Sequence, residues 1–256
     1  MTDELKKIVA GESDLQKKLD RLYQNFFENK SISETLGVRM SCPLLISAGV
    51  NWENAARKLL VVGQETKWWG PDFSGKYKPS DQAPIPSLID FLADGKNIER
   101  LVEWYKQFDL STFYPRLSRT PFWQAFKQLA NVINSEGQGA TLWANLFRCD
   151  VDGESIYKNS SPDEVTQVLD FQATLLKQEI AILQPTNVVF FTGPNYDVAL
   201  KSEFLDAIFE PCIENVTVRQ FARVRAAGLP DNTFRTYHPN YLSRAKLWPL
   251  IDKICS

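Results

Sequence analysis

The order of apolar patterns along the chain predicts a three-layer α/β/α single domain with a central, mostly parallel four-stranded sheet. Four short apolar runs carry that expectation: LLVVG at 59–63, TLWANLF at 141–147, NVVFFTG at 187–193 and TFRTYH at 233–238. Each has the length of a buried strand, and helical periodicity fills the gaps between them. Strands alternating with helices build a parallel sheet covered on both faces. The 256 residues, 44% hydrophobic and 23% charged, are those of an ordinary folded protein with enough chain for one sizeable core. One domain over residues 1–256 is expected, with 1–40 as an N-terminal helical extension and 70–120 as a loop-rich insertion.

The elements follow in order. Residues 13–29 place Leu15, Leu19, Leu22, Tyr23 and Phe26 on one face of a helix that Ser13 caps. After the first strand, residues 70–120 interrupt the alternation with Gly70-Pro71, Pro79, Pro84 and Pro86, then a helical stretch over 98–108. Thr120-Pro121 opens a helix that runs to about residue 135, before Gly137. Following the second strand, Ser161-Pro-Asp-Glu164 is a capping box with proline at the first helical position. The helix it opens carries Val165, Val168, Leu169, Leu175, Leu176, Ile180 and Leu183 on one stripe. Residues 196–209 and 241–254 supply two more helices.

Several function classes drop out. The apolar runs are far short of the ~20 residues of a membrane helix. The opening MTDELKKIVAGESD is charged where a signal peptide would be apolar, so a cytoplasmic protein is expected. Net charge is −2, which excludes a whole-protein field for nucleic acid but not a local basic face. The four cysteines, Cys42, Cys149, Cys212 and Cys255, form no C-x-x-C pair, so no metal or cluster is expected and the thiols read as reduced and mostly buried. His238 is the chain's single histidine, and any imidazole chemistry must use it.

Ligands of an open α/β sheet sit beyond the carboxyl ends of the strands. There the sequence places Gly63-Gln64-Glu65-Thr66 after the first strand, Asn145 at the end of the second, Gly193-Pro194-Asn195-Tyr196 after the third and His238-Pro239-Asn240 after the fourth. A carboxylate, an amide, a glycine turn and the only imidazole thus converge on one edge.

The segments GQETKWWGP, APIPSL, LWANLF, VVFFTGPNY and YHPNYLS, in that order, resemble the uracil-DNA glycosylase superfamily, nearest its classical uracil-excising branch. That family's first motif reads G-Q-D-P-Y-H-G-P and its last H-P-S-P-L-S. The resemblance implies that Glu65 stands where an Asp orients the attacking water, and that Gln64 helps bind the base through its backbone. It implies that Asn145 reads the polar edge of uracil and that His238 hydrogen-bonds O2 of the departing base. Leu242 would wedge into the vacated stack. Ser87 in the proline-rich loop, Gly193 and Asn195 in the glycine loop, and Ser243 and Arg244 after the wedge would contact DNA. The chain departs from the pattern in Glu-Thr for Asp-Pro and in Asn240-Tyr241 for Ser-Pro. One inserted residue aligns the thymine-excluding aromatic with either Lys67 or Trp68. The aromatic that stacks on the base falls nearest Phe73, with Tyr77 as another choice.

The implied activity is a DNA glycosylase, hydrolysing the N-glycosidic bond of uracil or another damaged base flipped out of DNA. It would work as a monomer on single- or double-stranded DNA, with no cofactor and no metal. Two alternatives stand beside it: a non-catalytic nucleic-acid-binding member of the same fold, and an α/β enzyme acting on a small nucleotide-like molecule. Neither a G-x-G-x-x-G nor a P-loop supports the last. Between residues 216 and 246, Arg219, Arg223, Arg225, Arg235, Arg244 and Lys246 face the single acid Asp231, a local basic stretch beside His238. Trp52, Trp104, Trp123, Trp143 and Trp248 read as packing residues, and Trp68 and Trp69 fall in a site loop.

Overall fold

The computed structural model describes residues 13–70, 87–108 and 116–254. Its centre is a mixed sheet of six strands in the order β2-β1-β3-β6-β5-β4. Strands β1 (Arg57–Glu65), β2 (Gly139–Phe147), β3 (Asn187–Phe190) and β6 (Asn232–Thr236) pair parallel, each on one of the four apolar runs. The expected four-stranded sheet is corrected by β4 (Ile208–Glu210) and β5 (Phe221–Arg225), which extend it antiparallel beyond β6. Neither announces itself in the sequence. β4 has three residues, and arginines interrupt the apolar pattern of β5, FARVR, even though Phe221 is buried in one core and Val224 in the other.

Alternation along the strands feeds two cores. Leu60, Val62, Ala144, Leu146, Val188 and Phe190 join the larger one, with Leu59, Val61, Val189, Phe191 and Phe234 in the other. Helices therefore cover both faces. The first layer includes α1 (Asp14–Phe27), which Ser13 caps by accepting the Gln16 N–H and which buries Leu19, Tyr23 and Phe27. Short α2 (Glu34–Gly37) and α3 (Val50–Asn54) follow it. Next come α4 (Leu88–Ala93) and α5 (Gly95–Gln107), the latter burying Leu101, Val102 and Tyr105. The opposite layer holds α6 (Pro121–Ile133), which opens with the expected proline and buries Ala125, Leu129 and Ile133.

Three helices differ from their sequence patterns. The stripe opened by Ser161 is broken in two. After short α7 (Ile156–Asn159), helix α8 (Pro162–Gln172) keeps the capping box, and Thr174, at φ 71°, turns the chain into α9 (Leu175–Leu183). An apolar stripe does not register one left-handed residue. Residues 196–209 form only the short α10 (Asp197–Glu203) before entering β4. Residues 241–254 likewise form the end of α11 (Pro239–Arg244) and a 3-10 turn at Trp248–Leu250. Cys42 and Cys149 are buried thiols and Cys212 is exposed, while Cys255 lies outside the described residues.

Glu203 ends α10 at 3% exposure and accepts the Lys177 N–H in the first turn of α9. Burial pushes its carboxyl up to about 7 from 4.5. Between those values the folded chain binds the proton and the unfolded chain does not, so this group's contribution to stability is lost as pH rises. Glu203→Gln keeps an acceptor without the ionisation. Its stability should gain on wild type by about 1.4 kcal/mol per pH unit across that window. Urea denaturation at half-unit intervals reads this directly, and parallel profiles would show that Glu203 is charged in the fold.

Candidate active site

The four parallel strands end on one edge of the sheet, where the chain leaves each strand. Gly63 pairs with Asn145 across β1 and β2. A Cβ on Gly63 would strike Asn145 Oδ1 and approach the Phe122 ring, so glycine is what lets both side chains lie over the β1 backbone. Asn145 is 6% exposed, and among the described residues no hydrogen-bond partner takes its amide. Phe122, in the first turn of α6, stacks on His238 with ring centroids 5.8 Å apart and planes 19° from parallel. Gly63, Asn145, Phe122 and His238 thus form one cluster.

His238 is the N-cap of α11, and its Nδ1 accepts the Asn240 N–H at 3.2 Å. That bond fixes the tautomer, with the proton on Nε2. Burial and, after it, the positive charge of Arg244 push the imidazole down to about 4, so it is neutral at pH 7. A neutral ring with a directed N–H is what the site contributes here.

Glu65 lies two residues beyond Gly63, roughly 7 Å further along the strand. Its Oε1 accepts the Tyr196 hydroxyl at 2.9 Å and its Oε2 the Ile156 N–H at 2.9 Å, at the start of α7. Burial raises its pKa, and the donors from Ile156, Ser155 and Tyr196 pull it back. Gln64 donates from Nε2 to the Thr192 carbonyl at 2.8 Å, tying the ends of β1 and β3. Thr66, where the resembled motif has proline, donates to the buried Asp150 carboxylate at 2.8 Å, which also accepts the Gly153 N–H. Gly193 takes φ 71° and donates to the Thr236 carbonyl at 3.0 Å, with the Tyr237 ring close above it.

Other expectations need correction. Leu242 is fully buried in the smaller core, where it holds α11 to the sheet, and is not presented to a base stack. Its neighbour Tyr241 is 45% exposed and packs on Tyr237, ring centroids 4.4 Å apart. The basic stretch is smaller than its sequence suggests: Arg235 is buried against Asp197 at 3.1 Å, and Arg225 pairs with Glu210 at 2.7 Å. Arg244 and Lys246 are exposed, as are Asn195 and Ser243. Ser87 caps α4, accepting the Asp90 N–H and donating to its carboxylate. Trp68 lies with its indole against Gly153. Trp69 packs instead into the aromatic group of Phe108 and Trp143. Trp52 and Trp123 are buried, and Trp104, Trp143 and Trp248 are half-buried. Phe73, Tyr77 and residues 83–86 lie outside the described residues.

Sequence reasoning missed Phe122 and Asp150 as site residues, and it placed Tyr196 on the edge without its role as donor to Glu65. Phe122 had a signal, because a helix returning between parallel strands begins at the carboxyl edge and Thr120-Pro121 marks that beginning. Among the described residues no group of three His, Cys, Asp or Glu could hold a metal ion, and no helix is long and apolar enough to cross a membrane. Comparison with protein-family models, curated proteins and solved structures finds no match for this chain.

Proposed function

We propose that the chain is a divergent relative of the uracil-DNA glycosylases that hydrolyses the N-glycosidic bond of uracil, or of a similar damaged base, flipped out of DNA. The observation that carries this reading is the buried Asn145 amide, unpartnered among the described residues and held over Gly63 beside a neutral His238. An amide without a protein partner keeps its donors and its acceptor for a ligand. An amide offers one acceptor and one donor pair, matching the N3–H and O4 edge of uracil. His238 Nε2–H then meets the base oxygen on which negative charge develops. The C1′–N bond breaks with its electron pair leaving on the base. Water's oxygen bonds to C1′, and the proton it releases ends on the base. Glu65 stands as the carboxylate that favours the cationic sugar. Tyr241, with Arg244 and Lys246 on the same rim, supports contact with the strand in place of Leu242.

The test uses oligonucleotides carrying one uracil, one hypoxanthine or one mismatched base, with strand scission at the abasic site as readout. Wild type should release at least one of them. Asn145→Asp turns a donor into an acceptor and should cut uracil release about 10- to 100-fold while changing the ranking among bases. An equal loss on every base would make Asn145 structural. One observation favours a second reading, a binder without catalysis: both Glu65 oxygens already have protein donors. That reading expects no base release but DNA binding that weakens with salt. Failure of both release and binding overturns the two together and leaves a small-molecule α/β enzyme.

A further inference from the structure

We infer that Phe122 is the positioning residue for His238, its ring closing one face of the imidazole to water and holding it beside the Asn145–Gly63 pair. The inference rests on the proposed role of His238 but is carried by separate geometry. The Phe122 ring is fixed by the near-parallel stack on His238, an edge contact with Phe191 at 6.2 Å, and its seat above Gly63. Trp123, next in α6, packs edge-on against it at 5.0 Å and joins it to the aromatic group of Phe126 and Trp143. The imidazole is thus held on one edge by the Asn240 N–H and on one face by Phe122. Arg244, from α11 itself, is the charged group acting on His238, and α6 brings only Phe122's apolar ring to it. A planar apolar cover disfavours imidazolium by keeping water away, and it fixes the direction of Nε2–H.

Because the chain has a single histidine, its ring proton resonances report His238 alone, with or without substrate. Phe122→Ala should raise the His238 titration midpoint by about one to two pH units towards the ordinary histidine value. Phe122→Tyr should keep it near wild type, and Phe122→Leu should fall between. Phe126→Leu, a comparable loss one turn along α6, should leave the midpoint unchanged, which separates positioning from a general loosening of the helix. If Phe122→Ala does not fold, Phe122→Leu against Phe126→Leu decides the matter. On a substrate that wild type cleaves, Phe122→Ala should lower the rate at pH 7 about 10-fold or more, with Phe122→Tyr restoring it. An unmoved midpoint in Phe122→Ala and Phe122→Leu overturns the inference even if wild type releases bases. A moved midpoint in a wild type that releases none upholds the packing role and sinks the glycosylase reading instead.

Discussion

Removal of the imidazole in His238→Ala should slow base release about 10²- to 10³-fold, the usual effect of deleting one donor at a developing anion. The expectation follows from two features of the ring. Its Nδ1 already accepts the Asn240 N–H, and burial keeps it neutral down to about pH 4. A second proton would have to enter at Nδ1, facing a backbone donor, so protonation removes the cap of α11 as well as the ordered N–H. As pH drops from neutral, the wild-type rate should therefore fall first as the Glu65 carboxyl, raised by burial, takes its proton, and again as His238 does through about 4. DNA affinity should change far less than rate, since phosphate contacts supply most of it. Stopped release assays at saturating oligonucleotide, paired with binding isotherms, separate the two. A loss under threefold would remove His238 from the chemistry.

The parallel part of the sheet was legible because doubly covered strands must be apolar along their whole length, and LLVVG and NVVFFTG contain little else. β4 and β5 stayed hidden because they lie at the margin and carry charged residues that no periodicity separates from loop. Asn145 and His238 could be placed on one edge from the direction of the strands alone. What they touch could not. Phe122 reaches His238 from a helix more than a hundred residues earlier, and nothing local in TPFW distinguishes a ring that faces the site from one that faces the core. Leu242 shows the opposite failure. A motif position suggested exposure, but α11 is only six residues long and needs an apolar anchor, which Leu242 supplies. Thr66 has a local reason to differ from proline, since its hydroxyl bonds Asp150 and fixes the loop after β1.

The site also depends on a buried charge pair behind it. Arg148 follows β2 by one residue and lies three residues beyond Asn145, at 1% exposure, in an ion pair with the fully buried Glu179 of α9. The Tyr23 hydroxyl donates to the same carboxylate at 2.8 Å and accepts the Ile46 N–H at 2.9 Å, so α1, α9 and the end of β2 meet there. Glu179→Ala should cost about 3–5 kcal/mol, because it takes the ion-pair partner from a buried guanidinium and leaves the Glu203 carboxyl as the acid still acting on it. Arg148→Met combined with Glu179→Leu should recover most of that loss, since an apolar pair of similar volume avoids the desolvation of both charges. Tyr23 keeps an acceptor in that variant, the Ile46 carbonyl at 3.1 Å. Urea denaturation of wild type, Arg148→Met, Glu179→Leu and their combination forms a closed cycle, with Glu179→Ala measured beside it. A loss below 1 kcal/mol in Glu179→Ala would mean that water reaches Arg148 once the carboxylate is gone. Base release should track the same order when assayed near the melting temperature of Glu179→Ala, because a loosened β2 end lets Asn145 drift from Gly63. At 10 °C, where Glu179→Ala remains folded, its rate should return to within about threefold of wild type, which assigns the pair to holding the strand rather than to the chemistry.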